Sequence, residues 1–105
     1  HHATERFGVI ALADHLRRTV QLCRRRGAVP VLVTYPHDLA IHAAHERVAE
    51  ELGVELVRTK PLLDALATSE AGVALFVDDG HCNDRGYAEM AAGVAAGIEQ
   101  ALRPR

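Results

Sequence analysis

Tryptophan is absent and aromatic residues make up only 4% of the 105-residue chain. That excludes a stacking platform for single-stranded nucleic acid and an interfacial aromatic belt. Lysines and arginines number 12 against 14 acidic residues, a formal charge of −2, and the two signs are interspersed. The chain therefore lacks the one-signed field that phosphate backbones or an anionic membrane require, and nucleic acid is not an expected partner. Cysteine occurs twice, at Cys23 and Cys82, too far apart for a metal-type spacing and too few for a disulfide framework. Neither a cytoplasmic nor a secreted location is singled out. No apolar run approaches the roughly 18 residues of a membrane-spanning helix, and no basic-then-apolar leader opens the chain. Serine occurs once, at Ser69.

What is present suits a folded domain. Apolar residues are 49% and charged residues 25%, a globular composition in a length that allows a single α/β unit over residues 1–105. His1-His2, within the first three residues, fits a purification-tag remnant and equally an internal start at a natural His-His.

Val9, Leu12, Ala13, Leu16, Val20 and Cys23 recur at helical spacing, predicting an amphipathic helix capped by Thr4 and stopped by Gly27, with arginines at its negative end. Residues 28–34 form a short apolar run rich in β-branched residues and closed by Tyr35-Pro36, a buried parallel strand in expectation. A second helix is expected from Leu39 to Leu52 with Asp38 as N-cap and Gly53 as stop. A brief strand over Val54 to Val57 follows, then a helix of one or two turns from Pro61 to Leu66 and a loop over 67–72. Val73 to Val77 reads as a third extended run. A last helix, capped by Asn83 or Asp84, keeps its period from Tyr87 to Leu102, and Gly93 and Gly97 allow a close approach on one side. The alternation is that of an open parallel sheet with helices on its faces. With two or three strands, the 28–34 strand is left with an unpaired edge, to be completed by a missing N-terminal half or a second copy.

The chemistry concentrates in Asp78-Asp79-Gly80-His81, between an apolar extended run and a capped helix. A carboxylate three residues before an imidazole can accept the Nδ1 hydrogen and leave Nε2 free to take a proton from a hydroxyl nucleophile. Asp78 and His81 are thus the candidate catalytic pair, and Tyr35, Pro36 and His37, at a strand end, are candidates to line the cleft opposite. Ser69 lacks the strand-then-turn setting of a nucleophile and reads as a turn or cap residue. His37, His42 and His45 match no zincin pattern and offer no fourth ligand, so a solvated helix face is preferred to a zinc site. No glycine-rich phosphate loop or dinucleotide fingerprint occurs, and no cofactor is expected.

The longer string Phe76, Asp78, His81, Asn83, Gly86, Tyr87, Met90 and Ala91 resembles the last block of the SGNH (GDSL-type) esterase/lipase family of hydrolases. That resemblance implies the C-terminal half of an incomplete flavodoxin-like three-layer parallel sheet with flanking helices. It also implies a serine ester hydrolase acting on a small-molecule ester. In this reading His81 is the general base, Asp78 its orienter, and Asn83, Gly86 and Tyr87 are structural. Cys82 departs from the family, which commonly has proline there. The family's serine block and oxyanion donors have no counterpart in this sequence, so the chain alone is expected to be inactive. A non-catalytic α/β interaction or scaffold domain derived from the same fold is the alternative.

Overall fold

Six elements order the chain: α1 (His2–Arg25), β1 (Val31–Val33), α2 (His42–Leu52), β2 (Glu55–Val57), α3 (Thr59–Ser69) and α4 (Asp84–Leu102). They belong to a computed structural model that describes residues 2–104; His1, and with it half of the tag question, lies outside them. Helix α1 already runs from His2, so Thr4 lies inside it rather than at its cap. The helix ends where Gly27 takes φ 75° and the Ala28 N–H reaches back to the Cys23 carbonyl at 2.9 Å, a left-handed stop as the sequence suggests.

The two strands pair in parallel, Val31 with Glu55, Leu32 with Leu56 and Val33 with Val57. Alternation splits their side chains. Leu32 joins Ala13, Val20, Ala44, Val48 and Val54 in a core between α1, α2 and the sheet. Val31 and Val57 face the opposite way, onto Gly97 of α4. Glycine lets the helix come this close. A Cβ at Gly97 would run into the Val57 side chain, and one at Gly93 into Leu62. A second core, Leu63, Leu75 and Cys82 with Leu62, Leu66, Val73 and Met90, lies between α3, α4 and the segment joining them. Val20, Val48 and Leu63 are fully buried, each contributing about 1.5–3 kcal/mol by leaving water.

The flavodoxin-like three-layer sheet expected from the sequence does not form. Helices hold 62% of the chain, and the sheet is two strands of three residues each. Three local causes explain it. Pro30 has no N–H to donate and Pro36 turns the chain, which confines β1. The 73–77 run never reaches the sheet; Asn83 N–H is held by the Leu75 carbonyl and Val77 N–H by the His81 carbonyl, and Phe76 makes only an isolated antiparallel bridge with Cys82. Helix α3 is longer than expected, starting two residues before Pro61 and running through Ser69. Proline is tolerated in its first turn because those N–H groups have no helical partner anyway.

Helix α2 also starts later than expected, at His42. Asp38 is not its cap. The preceding residues close on themselves, His42 N–H to Leu39, Ala43 to Ala40 and Ala44 to Ile41, and no side chain caps the helix. At α4 the cap is Asn83, whose side-chain oxygen accepts the Gly86 N–H at 2.9 Å while its amide donates to the Ala74 carbonyl at 2.8 Å.

Candidate active site

The strands end at one edge, and two buried threonines fix it. The Thr59 hydroxyl donates to the Thr34 carbonyl at 2.6 Å, and the Thr34 hydroxyl lies 3.4 Å from both the Thr59 N–H and the Val57 carbonyl. Thr59 is 0% and Thr34 6% exposed. Polar groups shut off from water need such partners, and here they lock the end of β1 to the start of α3.

From this junction Tyr35, Pro36 and His37 lead out over the segment that carries His81. The Tyr35 ring meets His81 edge-on, centroids 6.4 Å apart, and lies 5.4 Å from His37. The His37 ring lies 4.8 Å from Phe76, and its Nε2 is 2.7 Å from the Gly80 carbonyl oxygen. A shallow pocket of about 170 Å³ lies among Tyr35, His37, Leu39, Asp79, Gly80 and His81. The structure therefore brings Tyr35 and His37 beside His81. Pro36 is buried and does not line that pocket; it sets the turn.

The carboxylate on His81 is that of Asp79. Its Oδ1 lies 2.9 Å from His81 Nδ1 and accepts the His81 backbone N–H at 3.0 Å. Asp78, assigned to this place by the Asp-x-x-His spacing, is exposed, and among the described residues no bond joins it to His81. The reason is the turn. Gly80 N–H bonds to the Val77 carbonyl at 2.9 Å, so Asp78 and Asp79 are its central residues, and an aspartate two positions before a backbone N–H makes an Asx turn. The signal for Asp79 was therefore in the sequence, as Asp-Gly-His. The two hydrogen bonds from His81, backbone first and imidazole second, hold the Asp79 carboxyl below its ordinary range. His81 side-chain exposure is 65%, and among the described residues its Nε2 meets no protein partner.

Other candidates separate. Ser69 ends α3 with its hydroxyl on the Leu66 carbonyl at 3.2 Å and does not line the pocket at His81. Cys82 is 4% exposed with its sulfur 3.5 Å from Met90 Sδ, and burial pushes its thiol up, so thiolate is scarce. The Tyr35 phenol oxygen is closed off from solvent near Tyr87 and Cys82, and burial, with Tyr87 next in effect, raises its pKa. His42 has a role the sequence did not disclose. Its Nε2 accepts the Tyr35 backbone N–H at 3.1 Å, so that nitrogen must be bare. Burial, then His45 with its ring 5.4 Å away, lowers its pKa. With His42 so engaged and His37 on Gly80, the three histidines do not converge; among the described residues no three metal-binding side chains do. Nor is any helix there long and apolar enough to cross a membrane.

No protein-family model, curated protein or solved structure matches the chain.

Proposed function

We propose that this chain carries the general base of a serine ester hydrolase and the carboxylate that orients it, as the C-terminal part of such an enzyme, and that the nucleophile lies outside these 105 residues. The observation that carries the reading is the His81 imidazole, held at Nδ1 by a carboxylate and open at Nε2. Nδ1–H donation to an anion fixes the tautomer in which Nε2 is a proton acceptor. The likeness of residues 76–91 to the SGNH block supports the same assignment. In the reaction, His81 Nε2 takes the seryl proton as oxygen attacks the ester carbonyl. The proton then goes to the departing alcohol as the C–O bond breaks, and water releases the acyl group by the reverse sequence.

A completing unit, a missing N-terminal half or a partner, is called for on two grounds. Ser69 is the only serine, so a second copy brings no better nucleophile. The chain also exposes far more surface than its mass warrants: 7063 Å² is about 1,300 Å² above the scaling for a folded monomer of 11.4 kDa. One partner's share of a standard interface is about 800 Å². The radius of gyration, 15.2 Å, likewise exceeds the roughly 13 Å of a compact domain of this length. The free edge of β1, with Val29 exposed at its entry, and the outer face of α4, with Tyr87, Ile98 and Leu102 exposed, are the surfaces such a partner would cover.

The test is labelling by a serine-directed fluorophosphonate, of this chain alone and mixed with the polypeptide encoded upstream of it. Labelling confined to the companion, and lost when His81→Ala replaces the wild type, is the expected result. No labelling in any mixture sinks the hydrolase reading and leaves an interaction or scaffold domain.

A further inference from the structure

The turn that presents His81 is bound almost wholly to itself. Gly80 N–H bonds to Val77, Val77 N–H to His81, and His81 N–H to Asp79. Among the described residues, one hydrogen bond joins residues 77–81 to any part of the fold outside that segment: His37 Nε2 to the Gly80 carbonyl, at 2.7 Å. Its geometry is built from both sides. Pro36 is buried and fixes the exit from β1, which delivers His37 over the turn. Gly80 has φ 90°, a conformation L side chains rarely adopt, and its backbone closes to within 3.8 Å of Nε2, measured from where a Cβ would stand. The Phe76 and Tyr35 rings, at 4.8 and 5.4 Å, hold the imidazole between them.

We propose that His37 is a positioning residue for the His81–Asp79 pair, tying the turn that carries it to the rigid end of β1. The inference rests on the hydrolase reading for its purpose, but its test does not. A carbonyl only accepts, so Nε2 of His37 must carry the hydrogen. Nε2 is protonated in one neutral tautomer and in the cation alike, so the tie persists while the neighbouring base gains and loses a proton. Remove it, and the turn is held by its internal bonds alone; these open more often, so Asp79 and His81 sample separated arrangements.

Two measurements on the whole chain decide. In the wild type, long-range ¹H–¹⁵N correlation of the imidazoles should find neutral His37 as the Nε2–H tautomer; the Nδ1–H tautomer overturns the proposal. The Asp79 carboxyl, followed by ¹³C through an acid titration, should sit below the ordinary aspartate value in the wild type and move up toward it in His37→Ala. It should do the same in His37→Phe, which keeps a ring against Phe76 and lacks the donor, and return in His37→Gln, whose amide N–H can reach the same carbonyl. An Asp79 titration unmoved in His37→Phe, with helical circular dichroism intact, contradicts the proposal. Because no ester or nucleophile enters, failed fluorophosphonate labelling with the Asp79 effect present counts against the hydrolase reading alone.

Discussion

Helix α4 and the turn before it adjoin in sequence and differ in every physical respect. The inner side of α4 is glycine set against side chains and backbone, with Gly86 and Gly97 buried; Gly86 leaves no room for a Cβ beside the Leu75 carbonyl and sits 3.0 Å, measured from that Cβ, from Cys82. The 77–81 turn has both aspartates and His81 in solvent and, among the described residues, a single hydrogen bond to the rest of the fold. Close packing tolerates no added atom, whereas an exposed turn tolerates many. The contrast separates the residues that hold the fold from those that do the chemistry, so substitutions on one side should leave the other side's readout untouched.

The sharpest way to break that division is at Gly86. Gly86→Ala drives a methyl group into a backbone carbonyl that cannot swing aside, and should cost about 2–3 kcal/mol, seen as a fall in Tm of roughly 10–20 °C. At Gly93 the obstacle is the tip of the Leu62 side chain, which can rotate. There the gain in helix propensity, up to about 1 kcal/mol, offsets the crowding, and Gly93→Ala should be near neutral. Equal losses at the two sites contradict the seam as described. Next in size is Thr59→Val, which leaves the buried Thr34 carbonyl without its donor and should cost about 1–2 kcal/mol in chemical denaturation.

The same contrast explains what could be read in advance. The periods of α1 and α4, the Gly27 and Gly53 stops, an α4 cap at Asn83 or Asp84 and the close approach at Gly93 and Gly97 were all legible, because each depends on spacing within one element. The strand lengths, the late start of α2 and the fate of residues 73–77 were not, because they are decided by what lies alongside. Val73 to Val77 has strand composition, yet Leu75 packs with Leu63 and Cys82 and the backbone is taken up by its own turn. Near the site, the placing of Tyr35 and His37 beside His81 was legible from their position at a strand end. Spacing to His81 alone points to Asp78, whereas the turn geometry, which one residue decides, puts the Asp79 carboxylate on the ring. The Thr34–Thr59 lock carries no sequence signature beyond two ordinary threonines.

A smaller effect concerns pH. His42 must stay unprotonated at Nε2 to accept the Tyr35 N–H, and its pKa lies below the ordinary value of about 6.5. Around it stand His45, which disfavours its charge, and Asp38 and Glu46, which favour it; Arg58 occupies Glu46 through two bonds of 2.7 and 2.6 Å. Between its folded and unfolded values the unfolded chain binds more protons, so stability contributed by neutral His42 is present above the unfolded pKa and lost as pH falls through the folded one. His42→Gln, whose carbonyl can accept the same N–H, should flatten the fall in Tm below about pH 6.5. An unchanged slope would remove His42 from the account.

The most direct test of the central claim, that Asp79 rather than Asp78 orients an imidazole left open at Nε2, is the tautomer of His81. At alkaline pH, imidazole ¹⁵N shifts should show wild-type His81 protonated at Nδ1 and bare at Nε2. Asp78→Asn should leave that pattern intact, while Asp79→Asn should shift the Nδ1 resonance and mix the tautomers, with helical circular dichroism unchanged in both. The reverse assignment, Asp78→Asn altering His81 and Asp79→Asn leaving it alone, would contradict the arrangement on which the proposed chemistry rests.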